Sequence, residues 1–182
     1  MPLVFSTSYL SDSISLFRYY KGLGERAMAQ VADDQLFYAP DEESNSIAII
    51  VKHLAGNMHS RWTDFLTTDG EKPSRNRDSE FEDPPSDREG LMRAWEDGWR
   101  CLFNALEPLN DSQLSECVMI RGEAHSVMQA INRQLCHYAY HVGQIVFAAK
   151  QRRKGDWTSL SVPRGKSADF NQRVLTHKSS QR

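Results

Sequence analysis

The chain has 182 residues, with 22 lysines and arginines against 24 aspartates and glutamates, 40% hydrophobic residues and three cysteines. That length suits a single domain over residues 1–182, and the near-balance of charge argues against a nucleic-acid groove or an anionic membrane as partner. Cys101, Cys117 and Cys136 follow no disulfide or zinc-finger spacing, the N-terminus has no basic start or unbroken apolar core, and no run approaches the roughly 18 apolar residues of a spanning helix, so the expected location is the cytoplasm.

Leu16, Tyr19, Tyr20, Leu23, Ala27 and Val31 recur at three- and four-residue steps, predicting a first helix over about 8–32. Gly22 and Gly24 weaken its middle, which implies either a close backbone approach or a bend. GLGER lacks a preceding strand and a third glycine, so it is no dinucleotide fingerprint. Residues 33–45, with Pro40 and several acids, read as a connection.

Ser44 or Asn45 can cap a strongly apolar second helix over about 45–67. Residues 69–85, charged and proline-containing, form a long connection that is either mobile or packed over a site, joining helices at opposite ends of a bundle. Ser86 and Glu89 form a capping box for a third helix over about 86–107, which carries Leu91, Ala94, Trp95, Trp99, Leu102, Phe103 and Leu106 inward and stops at Pro108. Leu114–Ile120 reads as an extended piece or small strand before Arg121-Gly122. The fourth and longest helix spans about 124–152, and the tail 155–182 has Trp157, Leu160, Val162 and Phe170 with which to dock, before a frayed end that holds His177. Four amphipathic helices and one long connection predict an all-α four-helix bundle with its tail packed on it.

His137 and His141 lie four residues apart on the fourth helix, so both imidazoles point the same way, as in half of a transition-metal site. Arg133, His137, His141 and Gln144 share a sector of about 80°, which is open to two readings: a solvated face, or a site on a helix with few charges and burial nearly all round. His53, mid-helix among Ile49, Ile50, Leu54 and Met58, is the best third ligand, because an imidazole there needs a partner. His59 points to another face, and His125 is too far along the axis to join. Tyr138 stands where a zincin would carry its general-base glutamate, so protease chemistry is not supported. Gly165-Lys166-Ser167 lacks the first glycine and the flanking strand and helix of a phosphate loop; Cys136 reads as a small buried thiol, and the four tryptophans as core or interface filler.

KHLAGNMHSRWTDFLTTDGEKPSRNRDSEF on the second helix and its loop, AINRQLCHYAYHVGQIVFAAK on the fourth helix and WTSLSVPRGKS in the tail together resemble the DinB/YfiT-like superfamily of metal-dependent helical bundles, and within it the DUF1572 branch. The resemblance implies a bundle, commonly a homodimer, whose metal ligands fall on His53, His137 and His141. Its relatives include thiol S-transferases using low-molecular-weight thiols such as bacillithiol or mycothiol, as well as hydrolases and isomerases, so membership leaves the reaction open.

Three neutral imidazoles with open positions suit zinc or nickel, and accept iron or manganese. Asn57, Arg133 and Gln144, each a turn from a histidine, are candidates to orient ligands or hold a substrate. The expected function is a metal-dependent transferase or hydrolase acting on a small molecule; the alternative is a bundle that binds metal, or serves in stress, without turnover.

Overall fold

The computed structural model describes residues 8–176. It is mostly helical, with six α-helices and one small two-stranded sheet, in agreement with the all-α expectation. The long helices α1 (Tyr9–Met28), α3 (Ile47–Trp62), α4 (Arg88–Leu106) and α5 (Val127–Arg153) carry the core, with α2 (Asp33–Phe37) between the first two. α3 packs against both α4 and α5, and α1 against α5 and α4, so each long helix touches two others.

Aromatic rings fill the centre. Trp95, Trp99, Phe17 and Tyr138 are at most 1% exposed, and Trp99 meets Phe17, Trp95 and Tyr138 edge-on, the arrangement aromatic quadrupoles favour. Trp62 is buried among them and Trp157 packs on the core, as expected of filler. Gly24 marks a close approach rather than a bend, since a Cβ there would lie 2.8 Å from the Trp95 indole. Gly98 does the same for α4 on α3: its Cβ would come within 2.9 Å of Ala55 Cα. Gly98→Ala is expected to destabilise the protein by about 1–3 kcal/mol through overpacking against backbone, measured by urea unfolding.

Helix boundaries differ from the sequence reading for local reasons. The first helix stops at Met28 rather than near 32; Ala32 is extended, and Arg88 donates to the freed carbonyls of Met28 (3.2 Å) and Val31 (2.6 Å). Residues 33–45 are therefore no plain connection, because α2 forms there and buries Leu36. Ser46, not Ser44 or Asn45, caps α3 by accepting from Ile49 N at 3.1 Å. α3 ends at Trp62 rather than near 67, and Asp64 adopts φ +47° beyond it. Asp87 caps α4 by accepting from Gly90 N at 2.7 Å, displacing the box expected from Ser86.

Ahead of α5, strand β1 (Cys117–Ile120) falls inside the expected extended piece, but its partner β2 (Glu123–Ser126) takes residues 124–126 from the start of the expected fourth helix. Arg121 (φ +55°) and Gly122 (φ +75°) make the two-residue hairpin turn, and the Asp69 carboxylate accepts from both of their backbone N–H groups at 2.8 Å. Helix α5 then starts on a capping box between Ser126 and Gln129.

α5 is not buried nearly all round. Its core row is Ala130, Ile131, Gln134, Tyr138, Val142, Ile145 and Ala149, whereas Arg133, Cys136, Tyr140 and Phe147 are exposed; Cys136 is thus a surface thiol rather than a buried one. In the tail, Trp157 and Leu160 pack on the core and Thr158 bonds to Gln30 through both backbone groups. Helix α6 (Ser167–Leu175), unexpected from the sequence, buries nothing, so docking is confined to the tail's first part. His177 lies outside the described residues. Among those residues, no helix is long and apolar enough to cross a membrane.

Candidate metal centre

His53, at mid-α3, is only 3% exposed, while His137 and His141 sit half-buried where the core row of α5 meets its surface. The two helices bring one ligand nitrogen from each imidazole to within 4.8 Å of the others. His53 Nε2 and His137 Nε2 are 3.3 Å apart, close to the roughly 3.3 Å that separates two imidazole nitrogens on one tetrahedral zinc with bonds of about 2.0–2.1 Å.

Hydrogen bonds set two of the rings. His53 Nδ1 donates to Glu80 Oε2 at 2.8 Å, and His141 Nδ1 donates to Gln144 Oε1 at 2.8 Å, which leaves both Nε2 lone pairs for the cluster. Burial, with repulsion from His141 and His53, pulls the His137 imidazole down to about 3. Burial likewise brings His141 to about 4 against the effect of its bond to Gln144. Both are neutral at pH 7 with lone pairs available, so the donor set fits a transition-metal ion.

The long connection after α3 is packed over the site. Its 3-10 turn, Asp78–Phe81, is pinned to α3 by Lys52 Nζ, which donates to the carbonyls of Ser79 (2.6 Å) and Glu82 (2.7 Å). Phe81 stacks on His53 with ring centroids 4.8 Å apart. Glu80 is 5% exposed and also accepts two bonds from Arg75, at 2.7 and 2.9 Å. Burial would push its carboxyl up, but His53 and Arg75 outweigh this and hold it below its ordinary range. Gly56 makes the room: a Cβ there would lie 2.5 Å from Glu80 Oε1. Gly56→Ala is therefore expected to displace Glu80 from His53 and lower stability by about 1–3 kcal/mol. A urea midpoint equal to that of the unmodified protein would contradict it.

The histidines line a cleft of about 540 Å³, within the usual range for small-molecule sites. Asn57, Arg133 and Gln144 line it too, so all the residues singled out from sequence meet in one place. Asn57 is also structural, since it accepts from Tyr138 Oη at 3.0 Å, which in turn accepts from Trp62 Nε1 at 3.0 Å. Burial pushes the Tyr138 phenol far up, keeping it protonated. His59 is exposed and His125 lies on β2; neither joins the cluster. A larger cleft of about 790 Å³ borders Glu71 and Glu80, but among the described residues the three-histidine group is the one grouping arranged to hold a metal.

Sequence reasoning missed Glu80, Arg75, Phe81 and Gly56. Glu80 lies 27 residues from His53, and no periodicity links them. The available signal was chemical: an acid and an arginine inside an otherwise solvated connection that stays packed.

The metal-free protein is expected to lose stability on acidification. His137 and His141 are depressed below the 6.5 of an ordinary histidine, so the unfolded chain takes up their protons first. Their contribution is fully present above pH 6.5 and is lost as pH falls toward about 4 and 3. Thermal melts between pH 7.5 and 4 check this, and a flat profile would contradict it.

The class defined by these features is a mostly helical protein with a three-histidine cluster able to hold a metal ion at an open cleft. A family model described as a protein of unknown function, DUF1572, matches residues 4–166, and the chain belongs to that family. Searches of curated proteins and of solved structures returned no match.

Proposed function

We propose that the protein is a metal-dependent enzyme built as a DinB-like four-helix bundle, with His53, His137 and His141 as ligands, and that it transfers a small thiol to an electrophilic small molecule. The observation that carries this reading is the donor set itself: three imidazoles with one ligand nitrogen each within 4.8 Å of the others, beside a cleft large enough for substrate. When bound, a divalent ion on three neutral ligands keeps its full charge and favours the anionic form of a thiol or water. Zinc or nickel suits the site best.

The chain's own residues divide the remaining work. Glu80 holds His53 in one tautomer and orientation, Gln144 does so for His141, and Phe81 shields the His53 ring. Glu80→Gln is expected to weaken metal affinity about 10–100-fold, as loss of such an orienting partner typically does, and competition with a chromogenic chelator measures it.

Thiol transfer is favoured over hydrolysis because, among the described residues, no carboxylate lines the cleft to act as general base. Glu80 is occupied by His53 and Arg75, and the protonated Tyr138 phenol is occupied by Asn57. A thiol ionises near pH 8.5 unaided, so it has less need of one. Exposed Tyr140 and Phe147 on α5 offer apolar surface for the homodimer that the resemblance implies.

The test is consumption of cysteine as a model thiol by a haloalkane, with metal-loaded protein and with His141→Ala. Acceleration that disappears in the variant and on chelation is expected; equal rates in all three would contradict the proposal.

A further inference from the structure

We propose that the substrate cleft, on the reading of it given above, recognises a small molecule through an oxyanion, a carboxylate or phosphate group, held by arginines. Arg61, Arg75, Arg77, Arg121 and Arg133 all line it, and among the described residues no aspartate or glutamate does. Two carboxylates placed outside that lining neutralise part of this charge. Glu71 pairs with Arg61 and Arg121 at 3.0 Å and with Arg75 at 3.3 Å, and Glu80 takes Arg75 at 2.7 Å. Three guanidiniums thus share two carboxylates, and the other two, Arg77 and Arg133, lie outside these pairs.

Two of the arginines are free to bind. Among the described residues Arg133 has no ion-pair partner, and Arg77 has none either, its guanidinium lying 5.3 Å over the Phe81 ring that covers His53. Both are exposed at the cleft rather than tied into the fold.

Deeper in, Arg61 is 6% exposed and among the described residues its Nε–H has no acceptor, although its Nη1 donates to Gly70 O and pairs with Glu71. A buried guanidinium N–H without a partner is an uncommon cost in a folded protein. Gln134, 3% exposed, also lines the cleft, and among the described residues its buried Oε1 has no hydrogen-bond partner. Arginine is the side chain best shaped for oxyanions, since its fork matches two oxygens at once. The unopposed charge would also draw anions in from solution, an effect that salt screens.

The experiment is calorimetric titration of the full chain, as purified and after metal removal and dialysis free of chelator, with inorganic phosphate, with succinate, and with the uncharged analogue succinamide. Binding of phosphate or succinate, absent for succinamide and weakened by salt, is expected in both forms. Whichever anion binds tells a phosphate from a carboxylate site. Arg77→Gln and Arg133→Gln should each weaken it about tenfold, the loss of roughly one charge-assisted bond. His137→Ala, titrated in parallel, separates the two readings: retained anion binding with lost metal leaves the oxyanion site standing, whatever the metal's role. Equal affinity for succinate and succinamide, no binding of either anion, or an unchanged double variant Arg77→Gln/Arg133→Gln would overturn the proposal.

Discussion

Arg75→Ala is expected to lower the stability of the protein by about 3–5 kcal/mol, the usual consequence of stranding one member of a buried ion pair. The Arg75 and Glu80 side chains are 4% and 7% exposed and share two hydrogen bonds, so deleting the guanidinium leaves a carboxylate out of water with only His53 to compensate it. Glu80 is held below its ordinary range, so its contribution is present at neutral pH and disappears as acid protonates it in the fold. Guanidinium-chloride unfolding at pH 7 measures the loss, and a change under about 0.5 kcal/mol would mean that Glu80 is hydrated, as for an ordinary surface group. Replacing both members by apolar residues of similar size, Arg75→Met with Glu80→Leu, should recover much of the stability, because the penalty lies in the unpaired charge. The same double variant should still bind metal poorly, since His53 would lose the partner of its Nδ1–H.

Loading the site should stabilise the protein strongly. A ligand bound only by the folded chain adds about 4 kcal/mol at a thousandfold excess over its Kd, and for a chain of this size that corresponds to a rise in Tm of roughly 8–16 °C. Zinc or nickel is expected to give such a shift, and a chelator to reverse it. His53→Ala should remove the response by deleting a ligand that is 3% exposed and already oriented by Glu80. Magnesium should give none, because it demands an octahedral oxygen shell that imidazoles do not supply. Equal shifts with magnesium and zinc would point to a nonspecific ionic effect.

What the sequence could disclose was whatever repeats within one element. The i, i+4 spacing of His137 and His141 and the apolar setting of His53 single out the three imidazoles that the fold brings together, and the helical periods locate the four long helices. Boundaries failed where a partner distant in sequence decides them: Arg88 capturing the carbonyls of Met28 and Val31, and Asp69 seizing the Arg121-Gly122 turn so that residues 123–126 pair as a strand. The site was half legible for the same reason. Its ligands sit on helices, where spacing implies direction, whereas Glu80, Arg75 and Phe81 sit on a connection whose path is set by Lys52 and by the space Gly56 leaves. The burial of α5 was overestimated because alanines, tyrosines and a phenylalanine suit either face; Tyr140 and Phe147 point outward. The five arginines of the cleft come from α3, the connection, the hairpin and α5, and only the fold assembles them.

Metal analysis of the purified protein tests the central claim most directly, with His53→Ala, His137→Ala and His141→Ala analysed alongside after each is verified as folded by circular dichroism. One divalent transition metal per chain in the unmodified protein, lost from all three variants, is the predicted result. Stoichiometric metal that survives in His137→Ala, or an unmodified protein that takes up neither zinc nor nickel when either is supplied, would contradict the account.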